Sequence, residues 1–161
     1  MRTPHLFMFC ALFSITACDA PTTEELPNPP VVRVESGDPE WSAAVRRAKD
    51  TFWFFEQNWQ TLENDGYSVK FALQNTAGEL EHIWFSPTRI AGDSITGECA
   101  NDPRDIPGLK FGDSRTVTRD QISDWMIVVG NKCYGGYTIR VAADRQKGSA
   151  PDFEFVDPQL D

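Results

Sequence analysis

The chain has 161 residues, with 24 acidic against 15 basic side chains and a formal net charge of −9. Its 40% hydrophobic and 24% charged content is that of a folded domain, and the length suits one domain of ordinary size. The acidic balance argues against neutralising nucleic-acid phosphates, and no run reaches the roughly 18 apolar residues of a spanning helix.

Residues 1–17 read as a signal peptide. Arg2 supplies a positive start, and Leu6 to Thr16 is an apolar core too short to span a bilayer. Ile15-Thr16-Ala17-Cys18 follows, and an aliphatic residue, two small residues and a Cys resemble the lipobox of bacterial lipoproteins. The small residues let a peptidase seat the bond, and Cys18 would carry the lipid. The alternative is an ordinary signal peptide with a chance Cys. Lipidation would place the chain on the cell envelope, facing the periplasm, with Cys18 as its membrane contact. Asp19 resembles an inner-membrane retention signal in enterobacteria-like sorting, a rule that varies between bacteria, so inner or outer membrane stays open.

Residues 18–37 hold Pro21, Pro27, Pro29 and Pro30 among Thr and Glu, an extended tether unable to bury a core. A single globular domain is expected over 38–161.

That domain opens with a helix. Asp38 is a good N-cap and Pro39 suits the first helical position. Trp41, Ala44, Val45, Ala48, Phe52, Phe55 and Trp59 recur at three and four, predicting one continuous apolar face. Trp53 and Phe54 fall off that stripe, either as an exposed patch or because the domain wraps the helix end. Asn64-Asp65-Gly66 ends the element. The period then becomes two: Tyr67, Val69, Phe71 and Leu73 share one strand face. A turn at Asn75-Thr76-Ala77-Gly78 leads to a return strand over 79–85. There Leu80, His82 and Trp84 share one face, and Glu81, Ile83 and Phe85 the other. Two short strands around Gly92-Asp93 follow within 87–99. A loop over 101–108, a strand over 114–118, one helical turn over 119–123 and a strand over 125–129 come next. Residues 137–145 read as helix after Gly135-Gly136, with a last strand as the alternative. The acidic tail 152–161 carries Phe153, Phe155 and Val156 and could dock. The fold class is α+β: an N-terminal amphipathic helix packed on a small, strongly curved antiparallel sheet or partial barrel.

Several of these segments together look like a known family. Gly78-Glu79-Leu80-Glu81-His82-Ile83-Trp84, Ile95-Thr96-Gly97, Asn101-Asp102-Pro103, Gly112-Asp113, Ile122-Ser123-Asp124-Trp125 and Gly135-Gly136-Tyr137-Thr138-Ile139-Arg140 resemble the domain-of-unknown-function 2314 family (YegJ-like proteins) over about residues 42–145. The resemblance implies no particular activity. Cys99 and Cys133 lie outside the shared pattern.

Removal of the signal leaves His82 as the single histidine and, with Cys18 lipidated, Cys99 and Cys133 as an even pair. In an oxidising compartment a disulfide between them is the simplest expectation; two buried free thiols are the alternative. No C-x-x-C is present and the histidine stands alone, so no metal site is expected. Asn101, Asp102 and Asp105 lack the alternating spacing of a calcium loop. Nothing calls for a cofactor.

His82 and Asp124 could act as a base with its orienter, beside Glu81, Tyr137 and Thr138. Each also has a structural reading: His82 fixing the packing of Trp84, Asp124 accepting backbone N–H groups at the turn. Gly135-Gly136 could form an anion-binding nest or simply a turn. Neither a G-x-S-x-G motif nor a Cys with a His partner supplies a nucleophile. Aromatics beside polar groups suit a peptide or glycan groove, which makes His82, Trp84, Asp124, Tyr137 and Thr138 the candidate ligand-binding set. The expected function is a lipid-anchored envelope module that binds a protein or small ligand. An envelope enzyme, such as a hydrolase using His82 and Asp124, is the alternative.

Overall fold

The computed structural model describes residues 37–145 and 153–158. The signal segment, Cys18 and the tether lie outside the described residues.

Helix α1 spans Pro39–Asp50, and the Asp38 carboxylate accepts the Trp41 N–H at 3.0 Å, as its N-cap position predicts. The expected continuous helix breaks at Thr51, where the backbone leaves helical values (φ −104°, ψ 4°), and α2 resumes over Phe52–Asn58. The Thr51 hydroxyl donates back to the Arg47 carbonyl at 2.8 Å, the local bond by which Thr bends helices. The apolar spacing runs on through the break, so periodicity alone could not reveal it.

The strands are β1 (Gly66–Gln74), β2 (Leu80–Ala91), β3 (Ser94–Cys99), β4 (Ser114–Thr118), β5 (Ile122–Val129), β6 (Lys132–Gly135) and β7 (Glu154–Val156). One 3₁₀ turn, Arg119–Gln121, precedes β5, and α3 spans Tyr137–Arg145 as helix. All seven strands form one sheet in the order β4-β3-β2-β1-β5-β6-β7. The architecture is mixed α+β, and the strand order is open, with β4 and β7 at its edges. The sheet is not wholly antiparallel, because β7 pairs parallel to β6 after the α3 crossover. The tail over 154–156 therefore joins the sheet.

The central strands β2, β1 and β5 carry the core. Val69, Phe71, Ile83, Phe85, Ile122, Trp125 and Ile127 are each at most 1% exposed. Phe54 and Phe55 of α2 pack their rings against Trp125, whose indole N–H donates to the Ala48 carbonyl at 3.0 Å. Phe54, off the predicted stripe, also stacks on Tyr134, so the domain does wrap the helix end.

Cys99 and Cys133 are both buried free thiols, which corrects the expected disulfide. Cys99 lies in β3 and Cys133 in β6, with β2, β1 and β5 between them. Four strand spacings of about 4.8 Å separate them along the sheet, far beyond the reach of a disulfide. Burial pushes the Cys133 thiol up to about 11 and raises Cys99 as well, so both are held as thiols at neutral pH.

Candidate functional site

Register gathers most of the candidate residues around one that the sequence reading missed. Lys70 of β1 lies directly between Trp84 of β2 and Asp124 of β5, and Ala72 lies opposite His82. A bulge in the β1–β5 pairing leaves Ser123 without a partner and puts it on the same face. Lys70, His82, Trp84, Ser123 and Asp124 thus share the face opposite Val69 and Phe71.

Asp124 is fully buried and fully used. Its Oδ1 accepts the Trp125 N–H at 2.9 Å and the Tyr137 N–H at 3.0 Å. Its Oδ2 accepts the Thr138 N–H at 2.8 Å and the Thr138 hydroxyl. A carboxylate from a strand therefore caps the first turn of α3, where free N–H groups and the helix dipole favour negative charge. Gly135 and Gly136 both take positive φ (77° and 65°), and the Gly136 N–H donates to the Trp125 carbonyl at 2.8 Å. The glycine turn thus delivers the helix end to the chain's own carboxylate.

Lys70 is 8% exposed. Its ammonium donates to the Thr138 hydroxyl at 2.7 Å and sits 4.4 Å from the Trp84 ring centroid and 5.5 Å from that of Trp41. The Thr138 hydroxyl accepts from Lys70 and donates to Asp124, so it links the two charges. Burial pushes the Lys70 ammonium down to about 8, and Asp124 pulls the other way. The two aromatic faces stabilise the cation where water cannot.

His82 is not brought to Asp124. Its Nδ1 lies 2.9 Å from the Ser123 hydroxyl, which donates to the Lys70 carbonyl at 3.3 Å. The Ser123 hydroxyl thus bridges the imidazole and the β1 backbone. The Trp41 ring meets the imidazole edge-on at 5.3 Å. Burial and the neighbouring Lys70 charge push His82 down to about 4, so the ring is neutral at physiological pH. Ser123 is 1% exposed, so this Ser–His pair offers a reactant no approach.

The remaining candidates separate. Tyr137 is 5% exposed with its ring near Trp125; only its backbone N–H belongs to the Asp124 cluster. Thr138 is fully buried. His82 and Trp84 are half-buried, as is Trp41, and these three form the accessible side of the cluster. Glu81 instead accepts the Arg104 and Asp105 N–H groups, anchoring the 101–108 loop. Among the described residues, no three His, Cys, Asp or Glu side chains converge as metal ligands would.

Comparison with known proteins places the domain. The chain belongs to the DUF2314 family, described as an uncharacterized protein conserved in bacteria, whose model matches residues 38–151. It is similar to the uncharacterized protein YegJ of Escherichia coli (strain K12), 30% identical over 98 residues that cover 61% of this chain and 63% of the relative. It is also similar to a putative ankyrin repeat protein of Neisseria meningitidis serogroup B, 34% identical over 116 residues covering 66% of this chain and 46% of that one. The chain thus spans less than two thirds of either relative's length. No solved structure matches it.

Proposed function

We propose that the chain is a lipid-anchored binding module of the bacterial cell envelope, held through Cys18 and facing the periplasm. The observation that carries this reading is Ile15-Thr16-Ala17-Cys18 directly after a short apolar core, followed by a Pro-rich tether. The domain's geometry supports binding over catalysis. Asp124 is consumed in capping α3, and Lys70 and Ser123 are enclosed. What faces outward is a half-buried Trp41, His82 and Trp84 surface, suited to holding a ligand or protein partner.

Metabolic labelling tests the anchor. Cells producing the full chain with radiolabelled palmitate are expected to label the parent and not Cys18→Ser, and the parent is expected in the membrane fraction. Separating inner from outer membrane then fixes its place. An unlabelled parent found in the soluble fraction overturns the proposal. For the domain, crosslinking from position 84 is expected to capture an envelope partner or ligand that His82→Ala weakens.

A further inference from the structure

The edge of the sheet at β6 carries a second, independent feature. Residues Phe153–Pro158 lie along it, with Lys132 opposite Glu154, Cys133 opposite Phe155 and Tyr134 opposite Val156. The Glu154 N–H donates to the Asn131 carbonyl at 2.8 Å, extending the ladder. Phe155 enters a notch that only glycine leaves open: a Cβ on Gly136 would stand 3.1 Å from its ring and 3.2 Å from the Cys133 sulfur. Arg140 of α3 closes the notch from above. Its guanidinium carbon lies 5.1 Å from the Phe155 ring centroid, Nη1 pairs with Asp157 at 2.7 Å, and Nη2 reaches the Val156 carbonyl at 3.3 Å.

Arg140 is positioned by the domain itself. It donates to the Gly135 carbonyl at 2.9 Å and lies 4.8 Å from the Tyr137 ring centroid. Cys133, Gly136 and Arg140, the floor and wall of the notch, all fall within the family match over 38–151. The segment that fills it lies beyond that match.

We propose that the β6 edge is a docking groove for an extended protein segment carrying an aromatic ring and, two residues later, a carboxylate, and that residues 153–158 are its occupant from within the chain. Strand addition supplies affinity through the backbone ladder, and pockets for alternate side chains supply selectivity. Phe155 and Asp157 are those alternate positions. The built-in occupant has a three-residue ladder and an ion pair whose side chains are 26% and 47% exposed, which is a weak grip. Only residues 146–152 join it to α3, and a short connection supplies an effective concentration of order millimolar. Weak docking is therefore enough in the intact chain, and a partner segment of the same chemistry can displace it. This inference rests on none of the envelope reading.

The test uses the full chain with its tail weakened by Phe155→Ser and Asp157→Asn, and a fluorescent peptide of residues 152–161. The peptide is expected to bind this variant about tenfold or more tightly than it binds the parent, whose own tail competes. A peptide carrying Phe155→Ala is expected to lose about tenfold, and one carrying Asp157→Asn about two- to fivefold. Should the variant lose its near-UV signal, the parent titrated with millimolar peptide is expected to shift the amide resonances of Lys132–Gly135. Three results would overturn the proposal: no binding by a folded variant at about 1 mM peptide, equal binding of a scrambled peptide, or a parent that dimerises by exchanging tails between copies.

Discussion

Val69 and Phe71 on one face of β1 are fully buried, and Lys70 between them on the other face is nearly so. The first face is held by volume: Ile83, Phe85, Ile122 and Ile127 fill the space around those side chains, and burial of apolar area is the driving force. The second is held by complementarity. A buried lysine is tolerated there because Thr138 accepts from it, Asp124 balances its charge, and Trp84 and Trp41 face it. A filled face responds to lost atoms in proportion; a satisfied face responds to a single mismatched atom.

The largest expected break is Asp124→Ala. It strands the Trp125, Tyr137 and Thr138 N–H groups and leaves Lys70 without its counter-charge, so about 3–5 kcal/mol of urea-unfolding stability should be lost. A loss under about 1 kcal/mol would mean α3 is held by something else. Thr138→Val sharpens the contrast, since it keeps the volume and removes only the link between Lys70 and Asp124. It should cost about 1–3 kcal/mol, and a neutral result would dissolve the distinction between the two faces.

Acid should find the satisfied face first. His82 sits at about 4 against an ordinary 6.5, so between those values the unfolded chain binds a proton that the folded chain refuses. Stability should therefore fall as pH drops from 6.5 to 4, by at most about 1.4 kcal/mol per pH unit. Urea midpoints at pH 7, 5.5 and 4 would show this slope, and His82→Gln should flatten it. Asp38, held at about 2, contributes only below that window. The smallest expected effect belongs to the filled face: Ile83→Val should cost about 0.5–1.5 kcal/mol by calorimetry or denaturation, with no pH dependence. A larger loss there than in Thr138→Val would reverse the comparison.

The same contrast explains what could be read from the sequence. Helix α1 with its Asp38 cap, the β1–β2 hairpin and the Ile83–Phe85 face follow from local periodicity and turn chemistry, and all stand in the structure. Lys70 could not be found that way. Alternation assigns it to the polar side of β1, and its burial depends on distant partners: Thr138 of α3, 68 residues away, and the Trp41 and Trp84 rings. Motif-like segments single out His82 and Asp124, but their partners, Ser123 and the α3 N-terminus, depend on register across three strands. β6 leaves no periodic signal, because Lys132–Gly135 is four residues long and ends in glycine. The strand order, which keeps Cys99 from Cys133, has no local signature at all.

That separation of the two sulfurs reaches beyond the disulfide itself. A domain whose described residues close without a covalent cross-link needs no oxidant to fold and has no wrong pairing to unscramble. It should reach the same state in glutathione as in air. Its stability is then a property of packing and hydrogen bonds alone, the same in a reducing tube as in an oxidising one.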